Sequence, residues 1–142
     1  MTATEGVTGL EHVLVLSDDI DRAAEFYART LGLRIGDRPR LQFTGYWLYA
    51  GPMACLHVGG RASYRAHAAT LGIEVPARLD GRGPVDHVAF SAADYAAISE
   101  RLERAGVDPI RREIPGGGPR QLFFESPDGI RIEINVPAGA RA

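Results

Sequence analysis

The chain has 142 residues and is 45% hydrophobic, which suffices for one good core and is too short for two ordinary domains. Its 16 basic residues against 18 acidic ones, with no run of like charge, exclude the electrostatic footprint of a nucleic-acid partner. Apolar runs such as "VLVL" are far shorter than a membrane span, "MTATEGVTGL" lacks a signal-peptide pattern, and the single cysteine, Cys55, can make no internal disulfide; together these lead us to expect a cytoplasmic protein without membrane contact.

In chain order, "LEHVLVLS" reads as a strand. "SDDIDRAAEFYARTLG" reads as a helix: Ser17, Asp18 and Asp19 are capping candidates, Ile20, Ala23, Tyr27 and Leu31 fall at helical spacing, and Gly32 stops it. "GLRIGDRP", "QFTGYWLYAG" and "MACLHVGG" supply three more strands. The stretch "RASYRAHAATLGIEVPARLDGRGP" reads as a linker with a short helix over "SYRAHAATLG". "VDHVAFSA" is again a strand, and "SAADYAAISERLERAG" again a helix, with Ser91 at its start, Tyr95, Ile98, Leu102 and Ala105 on one stripe, and Gly106 at its end. Strands "VDPIRREIP", "RQLFFESP" and "GIRIEINVP" follow, and "AGARA" is expected to fray.

The second half repeats the first. His12 and His87 are 75 residues apart, Gly32 and Gly106 are 74 apart, and His57 and Glu133 are 76 apart. A nearly constant shift over independent landmarks predicts two copies of one βαβββ unit, at about 8–60 and 84–137, joined by a linker at about 61–83 within a single α+β domain.

The repeat gives the final strand a meaning that its own pattern lacks. Ile130, Ile132 and Ile134 alternate with Arg131, Glu133 and Asn135, and such a strand ordinarily turns its polar side to water. Here His12 and His87 occupy equivalent points of the two first strands, and His57 and Glu133 equivalent points of the two last. If the isoleucine side meets the helix, these four ligand-type residues lie on the opposite faces, and pairing those faces would gather them in one cleft.

These residues resemble the vicinal oxygen chelate superfamily, which includes glyoxalase I, fosfomycin-resistance proteins, extradiol dioxygenases and bleomycin-binding proteins. The resemblance is carried by "AAEFYARTLGLRI", "VDHVAFS" and "FFESPDGIRIEI" and covers nearly the whole chain. It implies the glyoxalase/bleomycin resistance/dihydroxybiphenyl dioxygenase-like fold, two βαβββ modules forming a metal-binding cleft. It also implies metal ligands at His12, His87 and Glu133, with His57 where relatives often carry Glu or Gln. Two histidines and one carboxylate leave open coordination positions and suit a divalent Fe, Mn, Ni, Co or Zn ion. His57 then has three open roles: fourth ligand, acid or base, or packing.

The implied activity is enzymatic, on a small-molecule substrate that chelates the metal through adjacent oxygens, with Glu133 or His57 moving the proton. A glyoxalase-like lyase/isomerase or thiol transferase is favoured over a ring-cleaving dioxygenase, because "QLFFES" offers Phe123 and Phe124 where those dioxygenases carry a tyrosine. The alternative is a metal-free bleomycin-type binding protein, which would not need the ligand set. A homodimer is expected, since exposed strand edges gain by pairing across a twofold axis. The linker spans either a cleft within one chain or one shared by two; its flexible composition favours the former.

Other residues carry weaker expectations. Cys55 shares the face of His57 and reads as a small buried hydrophobe. Arg131 and Asn135 flank Glu133 and are candidates to bond it or to meet an anion. Arg111, Arg112 and Arg120 around "IPGGGP" form either a mobile anion-contacting lid or an ordinary hairpin. Tyr46 and Trp47 should point to opposite sides of their strand, and His67 reads as a surface residue.

Overall fold

The structure is a computed structural model, and it describes residues 6–75 and 85–137. "AGARA" and the Pro/Gly-rich end of the linker lie outside the described residues. The first module contains β1 (Val13–Ser17), α1 (Ile20–Leu31), β2 (Arg34–Gly36), β3 (Gly45–Ala50) and β4 (Met53–Gly60). A linker helix, α2 (Arg61–Thr70), follows. The second module contains β5 (His87–Ser91), α3 (Tyr95–Arg104), β6 (Ile110–Glu113), β7 (Arg120–Glu125) and β8 (Arg131–Val136). Each module forms one four-stranded mixed sheet, in the orders β1-β4-β3-β2 and β5-β8-β7-β6, with the first and last strands of the module parallel. The repeat inferred from three landmarks is therefore a repeat of topology.

Local chemistry sets the boundaries. The Asp19 carboxylate accepts from the Arg22 N–H at 3.1 Å to cap α1, and Gly32 ends it at φ 71°, where a Cβ would be strained. At α3 the expected cap is corrected: Asp94, not Ser91, accepts from the Ala97 N–H at 3.0 Å. Ser91 is still in the β5 ladder, paired with Asn135, so its backbone belongs to the sheet. Strand β2 is only Arg34–Gly36, and Pro39 just beyond it cannot donate to a ladder.

One core joins the modules. Leu56 and Val58 of β4 and Ile132, Ile134 and Val136 of β8 share a cluster with Ala23, Ala24 and Tyr27 of α1 and Ile98 and Leu102 of α3. The ring of Phe26 on α1 lies 6.0 Å from that of Phe124 on β7, and the guanidinium of Arg101 on α3 sits over Gly32. The helices thus lie between the sheets, each helix burying apolar surface on its own sheet and on the other module. The opposite faces of the sheets carry His57 and Glu133.

Candidate functional site

Alternation along each final strand delivers the donor residues. In β4, buried Leu56 and Val58 flank half-buried His57; in β8, buried Ile132 and Ile134 flank Glu133. Glu133 is itself only 8% exposed, because its own face is crowded with polar side chains. Asn135 Nδ2 donates to Glu133 Oε2 at 2.5 Å, and Gln121 Nε2 donates to Asn135 Oδ1 at 3.0 Å and to Glu133 Oε2 at 3.4 Å. Glu133 Oε1 is left facing His87 Nε2, 3.4 Å away. Register places Gln121 opposite Asn135 and Phe123 opposite Glu133, so β7 supplies an amide brace and an apolar ring to the carboxylate.

In the first module three rings stack across the sheet. His57 lies between His12, at 3.8 Å and 14°, and Trp47, at 4.2 Å and 9°. Its Nε2–H donates to the Ala54 carbonyl at 3.0 Å, which leaves Nδ1 as the open nitrogen. Burial first, then the charge of neighbouring His12, holds the His57 imidazole below its ordinary pKa.

The two first-strand histidines are oriented alike. His12 Nδ1 meets Glu11 Oε1 at 2.8 Å and His87 Nδ1 meets Asp86 Oδ2 at 2.9 Å, so each ring presents Nε2. Asp86 is held in turn by Arg131 Nη1 at 3.1 Å. The signal for these carboxylates stands in the sequence, as Glu-His and Asp-His dipeptides recurring at the repeat offset, but a reading confined to ligand positions passes over them.

The structure brings His12 to His57 and His87 to Glu133, one pair per sheet. It does not gather the four. Among the described residues, no three His, Cys, Asp or Glu side chains converge where one ion could sit. The first strands of the two modules nevertheless lie side by side in this chain: Leu14 and Leu16 of β1 line one hollow together with Asp86 and His87. The other expectations divide. Asn135 bonds Glu133, whereas Arg131 goes to Asp86. Arg111 and Arg120 lie on the helix side, where Arg111 Nη1 donates to the Tyr95 hydroxyl at 2.8 Å and the Arg120 guanidinium stacks 4.0 Å from the same ring, so neither reaches the donor face. Tyr46 bonds Asp21 on α1 while Trp47 takes the other side. Cys55 is half-buried against the core, and His67 stacks 5.6 Å from Phe43.

The donor set suits a divalent cation: two imidazoles with Nδ1 committed and Nε2 open, and a desolvated carboxylate whose second oxygen is already braced. Paired βαβββ modules, with His57 and Glu133 on the sheet faces opposite α1 and α3, define an α+β fold. The chain belongs to the Glyoxalase/Bleomycin resistance protein/Dioxygenase superfamily, whose model it matches over residues 9–134. It is similar to "Glyoxylase I 4" of Arabidopsis thaliana, 30% identical over 131 residues, covering 90% of this chain and 70% of that protein. It is 26% identical over 130 residues to a lactoylglutathione lyase of Salmonella typhimurium, covering 88% and 90% of the two chains. Among solved structures it shares its fold with a mutant of the fosfomycin resistance protein FosX of Listeria monocytogenes, complexed with Mn(II) and 1S,2S-dihydroxypropylphosphonic acid. That match has a TM-score of 0.67, 14% identity, and coverage of 93% of this chain and 94% of that one. No helix among the described residues is long and apolar enough to cross a membrane.

Proposed function

We propose that this protein is a divalent-metal enzyme of the glyoxalase-like lyase/isomerase kind, acting on a small substrate that presents two adjacent oxygens. The observation that carries the reading is the matched pair of acid-anchored histidines, each presenting Nε2, with Glu133 braced beside one of them. His12, His87 and Glu133 hold the cation. When bound, it supplies Lewis acidity that stabilises negative charge developing on the substrate oxygens, worth several kcal/mol. Glu133 Oε1, or His57 through Nδ1, takes and returns the proton.

The stack favours His57 as acid or base over His57 as ligand. A ligand imidazole points an in-plane lone pair at the ion from about 2.0–2.1 Å. Two rings lying face to face at 3.8 Å direct their in-plane lone pairs side by side, not at one point. The dioxygenase reading is disfavoured because the neighbour opposite Glu133 is Phe123, which has no phenol to offer.

Because no three of these donors converge among the described residues of one chain, the working unit in this reading is a homodimer in which the His12/His57 face of one chain meets the His87/Glu133 face of another. The test is metal per chain and lactoylglutathione turnover, the reaction named for the Salmonella relative, for the wild type, His87→Ala and Glu133→Ala. Loss of bound metal in folded variants is expected. Unchanged stoichiometry would end the metal assignment and favour the metal-free binding protein.

A further inference from the structure

Arg38 was not singled out in the sequence, yet it lies on the donor face of the first module with much of its hydrogen-bonding capacity unused. Its Nη2 donates to the Phe43 carbonyl at 2.7 Å and its guanidinium lies 5.1 Å from the Phe43 ring centre. Its Nε is buried with no partner, and the residue makes no ion pair among the described residues. Buried donors are almost always satisfied, so an orphaned guanidinium N–H calls for an acceptor that the described residues do not provide.

Gly45 lies beside this arginine. A Cβ there would collide first with the Val58 carbonyl oxygen of the neighbouring strand and would stand 3.2 Å from Arg38 Nη2, so glycine permits the close backbone approach and leaves the guanidinium room against the sheet. Gly45 precedes Trp47 by two positions in β3 and shares its face, and Trp47 stacks on His57. Opposite Gly45 is Gly59, over which Leu14, Leu16 and Phe43 close to 3.2–3.3 Å of a notional Cβ. The cation therefore stands at the rim of an apolar patch next to the ring stack. There a charge-assisted bond gains from exclusion of water.

We propose that Arg38 is a specificity-determining residue that binds a carboxylate of the substrate, so that the substrate is a small acid chelating through two adjacent oxygens and anchored by a separate carboxylate. The chelation half of this statement rests on the function proposed above; the carboxylate half does not. The planar guanidinium fork matches a carboxylate in two-point geometry, which a lysine could not reproduce.

Two probes separate the halves: acetohydroxamate, a neutral chelator with adjacent oxygens, and N-hydroxysuccinamate, the same chelating group with an added carboxylate. Their affinities for the metal-loaded protein are measured by calorimetry for the wild type, Arg38→Gln and Arg38→Lys, with thermal melts to verify folding. The wild type is expected to prefer the carboxylated probe by about ten- to hundredfold, the range for a hydrogen bond to a charged group. Arg38→Gln should lose that preference while holding acetohydroxamate unchanged, and Arg38→Lys should keep part of it. Equal affinities in the wild type, a preference that survives in Arg38→Gln, or equal weakening of both probes in that variant would each overturn the proposal. If neither hydroxamate binds the wild type, the cation reading fails by itself. Propionate then decides the carboxylate half, through the fluorescence of Trp47, the single tryptophan: a response lost in Arg38→Gln supports it and no response overturns it.

Discussion

Replacing Asp86 by asparagine is expected to weaken divalent-cation binding about ten- to hundredfold, the usual cost of removing the carboxylate that orients a ligand histidine. The structure indicates why Asp86 matters more than its counterpart Glu11. The Asp86 carboxylate accepts from His87 Nδ1 at 2.9 Å and is held by Arg131 Nη1 at 3.1 Å across the β5–β8 ladder, so the imidazole is tied to the sheet through two bonds. Asparagine keeps the size but gives up the charged acceptor that orients the imidazole, and leaves Arg131 without its charge partner. Glu11 is 86% exposed and has no comparable brace, so its pairing with His12 is a solvent-screened contact of about 0–1 kcal/mol, and Glu11→Gln should weaken binding only severalfold. The assay is competition of each variant with a chromophoric chelator for Co(II) or Zn(II). A matched thermal melt of the metal-free proteins shows whether Asp86→Asn has disturbed the fold instead. If Asp86→Asn binds metal like the wild type, His87 is not a ligand oriented in this way, and the reasoning is refuted.

Further outcomes follow from other parts of the molecule. Burial pushes the Tyr27 phenol up to about 12, so its contribution to stability is fully present below the unfolded value of about 10 and is lost as pH rises from there to about 12, roughly 3 kcal/mol in all. Urea melts at pH 9 and pH 11.5 should show about 2 kcal/mol of that loss in the wild type and a smaller one in Tyr27→Phe; equal losses would remove Tyr27 as the cause. His57→Ala should spare metal affinity and slow turnover, and a weakened affinity would make His57 a ligand. His57→Glu, which adds a second carboxylate, should tighten cation binding while lowering turnover; looser binding would contradict that charge argument. Mixed His12→Ala and Glu133→Ala chains should regain activity after subunit exchange, whereas persistent inactivity would return the site to a single chain.

Much of the fold was legible because its determinants are local. Spacing, the glycine after each helix and alternation in each strand reported both modules, and the offset between them reported which residues occupy equivalent places. The arrangement of modules was not legible in the same way. It depends on the second buried sides of α1 and α3, on Phe26 reaching Phe124, and on Arg101 covering Gly32, contacts between residues far apart in sequence. A linker long enough for either arrangement carries no information about those contacts. The arginines show the same limit. Arg111 and Arg120 looked free beside a glycine-rich turn, yet the Tyr95 ring draws both to the helix side, while Arg38 is held by the Phe43 carbonyl, a loop contact that no spacing signals.

The copies have kept one half of the donor pattern and diverged in the other. Each begins with an acid followed by a histidine, and each acid meets Nδ1 of its histidine, which preserves the same open nitrogen twice. The final strands differ: Glu133 has an amide brace from Gln121 and Asn135, whereas His57 has a ring on either side and a backbone carbonyl for its Nε2–H. Amides donate to Glu133 Oε2, while burial favours a neutral imidazole at the other position. The four residues thus bring one negative charge to a divalent cation instead of two, leaving more of the cation's charge to polarise a bound substrate. The anionic group that completes the balance has its proposed receptor on the first module's face, where Arg38 holds a buried N–H without an acceptor among the described residues.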